Sequence, residues 1–204
     1  KTSPTLPTTS QPTYGEFEVI FKEFGEKYDA SIAVLLSSGI SGTVDSALMA
    51  QKILKDVPIE VVDTKTAAGG LALIVNAVVD AVEGGKSAKQ AADLARTIAD
   101  ATGTYFVVDT LKYLHKGGRI GGASRYFGTA LDIKPILYLN AEGKIDALEK
   151  VRTKKKAVNR LIELVKEKAD GKKCHLSIYH AQAAKEAEKM RDTIKETMDC
   201  HDIE

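Results

Sequence analysis

The residues with the clearest chemical potential lie together in Ser37-Ser38-Gly39-Ile40-Ser41-Gly42-Thr43. Four hydroxyls and two glycines follow a short apolar run and precede a helical pattern. A loop of this kind offers O–H donors and backbone N–H groups, and the positive end of the helix dipole points the same way. Gly39 and Gly42 remove side chains, so an anion can approach the backbone. The loop is not a Walker A sequence, because no Gly-Lys-Ser/Thr follows, and it is not GxGxxG. It nearly matches a nucleophile elbow around Ser41, with Thr43 where the last glycine should stand. A capped helix start, with small residues for packing, is the bland alternative.

Other groups could join it. Thr8-Thr9-Ser10-Gln11-Pro12 supplies hydroxyls, either for a ligand-facing rim or to cap a helix that Pro12 opens. Lys150–Lys156, KVRTKKK, holds five basic residues in seven. It is either a solvated helix start or a phosphate- or partner-docking patch. Arg119 stands on a glycine-bordered turn, where a guanidinium can pair with phosphate. His115, His175, His180 and His201 are scattered, with no pair three or four apart on a helix. A metal site has little support, and no convincing His–Asp pair serves Ser41. His175 and His180 are placed on one strand, facing opposite sides.

These residues need a scaffold. The spacing of Phe17, Ile20, Phe21 and Phe24 predicts a helix over 14–27. SIAVLL at 31–36 and 59–62 read as buried strands around a helix over 44–54, capped by Thr43. That is a parallel βαβ unit. Helices follow at 68–82 and 87–101, and a domain boundary is expected near Thr102–Gly103. A strand at 104–108 and short helical segments at 111–115 and 124–131 come next. Strands at 136–139 and 145–151, joined by Asn140-Ala141-Glu142-Gly143, read as an antiparallel hairpin. Helices at 155–168 and 181–198 flank a strand at 176–179. The fold class is α/β, with a parallel α/β domain over 1–102 and a mixed α+β domain over 103–204.

Composition excludes some functions. The 204 residues carry 29 Lys+Arg against 28 Asp+Glu, a formal net charge of +1, which argues against a general nucleic-acid binder. Aromatics make up 6% with no Trp, which disfavours base stacking. Cys174 and Cys200 form no disulfide framework and suggest a reducing compartment. The opening residues show no signal peptide, and the apolar stretch at 67–82 is too short and interrupted to span a membrane, so a cytoplasmic location is expected.

The ordered set TTSQPT (8–13), SSGISGT (37–43), DT (63–64), DTLKYLHKGGRI (109–120), DIKPIL (132–137) and KVRTKKKA (150–157) resembles the DegV family, bacterial fatty-acid-binding proteins. The resemblance covers nearly the whole chain. It implies a two-domain α/β fold and no cofactor, with a long-chain fatty acid as the bound ligand. It also implies a carrier that presents the fatty-acid carboxylate to a separate fatty acid kinase, for acyl phosphate and phospholipid synthesis, and is not itself an enzyme. Thr9, Ser10, Ser38, Gly39, Ser41 and Gly42 match the carboxylate-binding motifs, and Arg119 and Arg152 match basic positions suited to docking the kinase. The family's first strand with its Asp-Ser-Thr loop and its closing His-Thr-Gly-Pro-Gly segment have no counterpart here, so the family's histidine role is not carried to His201 and the chain is expected to be a shortened form. Two other functions compete: a serine hydrolase acting on acyl esters through Ser41, and a regulatory binding protein using KVRTKKK.

Overall fold

The computed structural model describes residues 6–128 and 133–204. Strands β1 (Ser31–Leu35) and β2 (Ile59–Asp63) pair in parallel, from Ser31 opposite Ile59 to Leu35 opposite Asp63. Helix α2 (Thr43–Ile53) makes the crossover, as a parallel connection requires. Side chains alternate along a strand, and here both faces are covered. Ala33, Leu35, Ile59 and Val61 pack against Phe21, Ala47 and Ala50 of α1 (Tyr14–Lys27) and α2. Ile32, Val34 and Val62 pack against α3 (Ala68–Glu83) and α4 (Ala88–Ala101) through Ile74, Val78, Ala91, Ala92 and Ala95. That two-sided burial is why the strand reads as a continuous apolar run.

A three-stranded antiparallel sheet follows, ordered β3 (Tyr105–Val107), β4 (Lys134–Leu139), β5 (Ile145–Val151). Ile136 packs on Ala157 and Leu164 of α6 (Lys154–Ala169), while its neighbour Leu137 joins Leu111, Ala123, Ile145 and Ala147 on the other face. The second face is covered by the short helix α5 (Lys112–Lys116) and a 3-10 turn over Gly121–Tyr126. Strands β6 (Cys174–Leu176) and β7 (Cys200–Ile203) pair in parallel around α7 (Ala184–Thr197).

The mixed α/β architecture and the hairpin agree with the sequence reading. Several local expectations are corrected. Gly42, not Thr43, is the N-cap of α2. Thr13 caps α1 in a capping box with Glu16, so neither Thr9 nor Ser10 opens that helix. The strand expected at 176–179 lies at Cys174–Leu176, so His180 is not on it, and β7 has no precedent in the periodicity reading. Asp132 of the DIKPIL motif and the end of the helical segment proposed over 124–131 fall outside the described residues.

Candidate functional site

The parallel pairing of β1 and β2 places their carboxyl ends side by side, so the loop after β1 meets the residues after β2. Asp63 accepts hydrogen bonds from both Ser38 N (3.1 Å) and Ser38 Oγ (2.5 Å), and from Lys65 N (3.0 Å). One carboxylate thus fixes an exposed serine. Charged acceptors of this kind make the stronger hydrogen bonds. Ser37 is fully buried. Its Oγ donates to Gly143 O in the β4–β5 turn (2.7 Å) and accepts from Gly39 N (3.0 Å), while Ser37 N donates to Thr66 O (2.8 Å). Ile40 N and Ser41 N both donate to Ser37 O at 3.2 Å.

The amides of residues 38–41 are therefore committed within the protein. This corrects the expectation that the loop amides themselves are open to an anion. Donor capacity shifts to the first turn of α2. There Ser41 Oγ and Thr43 Oγ1 lie 2.8 Å apart, and Thr43 N donates to Ser41 Oγ at 3.3 Å. In a hydroxyl pair one O–H is shared, and the accepting hydroxyl keeps its own proton to donate elsewhere. Gly42 as N-cap brings no side-chain acceptor to the helix amides, which leaves the end of the helix dipole suited to a carboxylate.

Gln11 joins the upstream motif to this turn. A Cβ on Gly42 would collide with the Gln11 side-chain amide, whose Nε2 donates to Ser46 Oγ at 3.3 Å. Thr9 and Ser10, two and one residues before Gln11, are exposed on the same segment, which is neither helix nor strand. Arg119 Nε donates to Ile40 O (3.2 Å) and another of its guanidinium nitrogens to Gly117 O (2.6 Å). Arg119 therefore sits against the loop. Arg152 is exposed after the last residue of β5, at the opposite end of that strand from the turn that meets Ser37. A seven-residue strand spans about 23 Å, and it lies between that turn and Arg152.

The structure thus gathers Ser38, Gly39, Ser41, Gly42 and Arg119 at one edge, with Thr9 and Ser10 tied there through Gln11, and sets Arg152 apart. Ser37 was counted among the loop's donors, but its hydroxyl is spent on Gly143 O; Asp63 and Gln11, though inside quoted motifs, and Gly143 were given no role at the site. Asp63 had a visible signal in the Asp63-Thr64 pair that follows a strand. Gly143 had none, because its partner is 106 residues away. Two open grooves of about 490 and 550 Å³ lie elsewhere, at the amino ends of β1 and β2. Ala30, Pro58 and Ile59 line the first and Asp29, Ala30 and Val79 the second.

Ser41's hydroxyl partner is Thr43, which offers no basic nitrogen to activate a nucleophile. His175 pairs with Asp202 (2.8 Å) and His115 stacks on Phe127. Among the described residues no group of three or more His, Cys, Asp or Glu could hold a metal ion, and no helix is long and apolar enough to cross a membrane.

Comparison with known proteins places these features in context. A family model described as "Uncharacterised protein, DegV family" matches residues 1–204. A DegV domain-containing protein of Streptomyces coelicolor is 37% identical over 199 residues, covering 95% of this chain and 70% of that protein. Protein DegV of Bacillus subtilis is 35% identical over 189 residues, covering 91% of this chain and 66% of that protein. The chain thus spans about two thirds of the length of such relatives. Among solved structures, a fatty acid binding DegV family protein from Streptococcus agalactiae aligns with a TM-score of 0.88 at 29% identity, over 100% of this chain and 73% of that one. DegV, a fatty acid binding protein from Bacillus subtilis, aligns with a TM-score of 0.84 at 31% identity, over 97% and 71%.

Proposed function

The chain belongs to the DegV family, and from that premise we propose that it is a fatty-acid-binding carrier. Its loop edge holds the carboxylate of a long-chain fatty acid. The observation that carries this reading is the Ser41–Thr43 hydroxyl pair at the amino end of α2, beside the Gln11 segment. The accepting hydroxyl of the Ser41–Thr43 pair donates its remaining proton to the carboxylate, and Thr9 and Ser10 add hydroxyls from the exposed segment before Gln11. Asp63 holds Ser38 in place, and the packing of Gly39 and Gly42 sets the approach. Fatty acid binding by the similar DegV family proteins of Streptococcus agalactiae and Bacillus subtilis supports the ligand class.

The finer proposal is that the carrier presents the carboxylate to a separate fatty acid kinase in the cytoplasm, supplying acyl phosphate for phospholipid synthesis. Arg119, against the loop, is the better placed of the two docking candidates, and Arg152 would meet a different part of the partner. Phosphoryl transfer belongs to the kinase, and the chain binds without catalysing. Residues 1–102 and 103–204 are proposed as two units that meet where Ser37 and Gly39 touch Gly143.

The test is extraction of the purified protein with organic solvent and mass spectrometry of the extract. The expected result is about one fatty acid per chain, or uptake of one equivalent of added palmitate. No lipid in the extract and no uptake of palmitate would overturn the assignment.

A further inference from the structure

The parallel pairing of β6 with β7 sets Cys174 directly opposite Cys200, and neither is in a disulfide. Adjacent strands lie about 4.8 Å apart, inside the Cα separation of about 4.4–6.8 Å that a disulfide spans. Register partners in a parallel ladder point to the same face. The register shifts by one residue after this pair, so that His175 stands opposite Asp202, and there His175 Nδ1 lies 2.8 Å from Asp202 Oδ1. On the other flank Lys173 Nζ lies 3.2 Å from Asp199 Oδ1. Ile178 N donates to Glu204 O (2.8 Å) and Glu204 N to Leu176 O (3.0 Å). Polar contacts thus bracket the two thiols on both flanks, and both are half-buried, within reach of a small oxidant. No part of the lipid proposal uses them.

We propose that Cys174 and Cys200 are a reversible thiol–disulfide site, oxidised by a peroxide to a cross-strand disulfide. One thiolate sulfur attacks an oxygen of hydrogen peroxide. An S–O bond forms, the O–O bond breaks, and the hydroxide released takes a proton to leave as water. The second thiol sulfur then attacks the sulfenic sulfur. The S–S bond forms, the S–O bond breaks, and the thiol proton leaves with hydroxide as a second water. Two thiols lose two electrons and one peroxide gains them. Burial, then the neighbouring Cys174, pushes the Cys200 thiol above its ordinary range, with smaller contributions from Asp199 and Asp202. Either thiol can attack first, with the other resolving.

The cross-link closes a loop around α7 and ties β7 to β6, whose continuation packs Ser177 and Tyr179 over Gly69 at the start of α3. In a reducing compartment the thiols persist, and the disulfide forms only under oxidant.

The test treats the reduced full chain with a small excess of hydrogen peroxide and reads intact mass and thiol alkylation under denaturing conditions. The expected product is a monomer about 2 Da lighter, with no alkylatable thiol and a Cys174–Cys200 cross-linked peptide, all reversed by dithiothreitol. C174S and C200S should each gain oxygen mass instead of losing hydrogen. Sulfinic acids at both cysteines, a disulfide-linked dimer, or two thiols still alkylatable in the wild-type chain would each overturn the proposal, whatever the result of the lipid extraction.

Discussion

At the scale of single residues, the candidate site depends on close approach as much as on donors. Gly39 sits against the turn that contains Gly143, whose own φ of +71° is a conformation glycine adopts without strain. A Cβ at position 39 would lie 2.6 Å from the carbonyl carbon and oxygen of Gly143, which are backbone atoms that cannot swing away. Gly39→Ala should therefore destabilise the protein by about 1–3 kcal/mol through overpacking. Gly15→Ala, in the first turn of α1 with no neighbour closer than 4.0 Å, should be neutral or stabilising by a few tenths of a kcal/mol. Urea unfolding of the two variants checks this, and equal midpoints would show that the loop and the turn are not pressed together. The hydroxyls and glycines of this loop were legible in the sequence because composition alone marks a small-residue strand-to-helix turn. Their partners were not. Ser37 finds Gly143 and Ser38 finds Asp63 through the fold, across 106 and 25 residues. Local pattern carries no information about such pairs.

At the scale of elements, the hairpin and α6 are joined by charge as well as by packing. Arg160 on α6 pairs with Glu149 on β5 through three hydrogen bonds of 2.8–3.1 Å, and with Glu163 and Glu167 on its own helix. The Arg160 hydrogen bonds hold the Glu149 carboxyl below its ordinary range. A carboxyl with a folded pKa below its unfolded one adds stability that is complete above the unfolded value, near 4.3, and is lost as pH falls through the folded value. Both side chains are partly exposed, which screens the pair and keeps the effect modest. Melting temperatures between pH 6 and pH 3 should therefore fall more steeply for the wild type than for Glu149→Gln, and parallel curves would refute a folded-state pairing. Helix α6 was visible from Val158, Leu161, Ile162 and Val165 at helical spacing. The hairpin was visible from its turn residues. Strand β7 was not, because Cys-His-Asp-Ile has no run of alternating apolar side chains and forms only by adding to β6. The cap of α2 was misplaced by one residue because Ser41, Gly42 and Thr43 are all acceptable cap types.

At the scale of the whole molecule, the fold class followed from strand–helix alternation, and the order of six motifs narrowed it to a family. Arg119 lies against the loop, while Arg152 follows the far end of β5. The binding proposal divides its energy unevenly. Burying a sixteen-carbon tail gains about ten kcal/mol gross at roughly 0.8 kcal/mol per CH₂. The few hydroxyl contacts of the loop edge then mainly orient the head group, at about 0.5–1.5 kcal/mol each. The carboxylate is nevertheless what the Ser41–Thr43 pair and the α2 terminus are suited to select. The most direct measurement is calorimetric titration of the delipidated chain with palmitate and, in parallel, with methyl palmitate, which keeps the tail and removes the charge. Saturable binding of one palmitate, at least about tenfold tighter than the ester, is the result the carboxylate site requires. Equal affinity for acid and ester, or no binding of either, would contradict it.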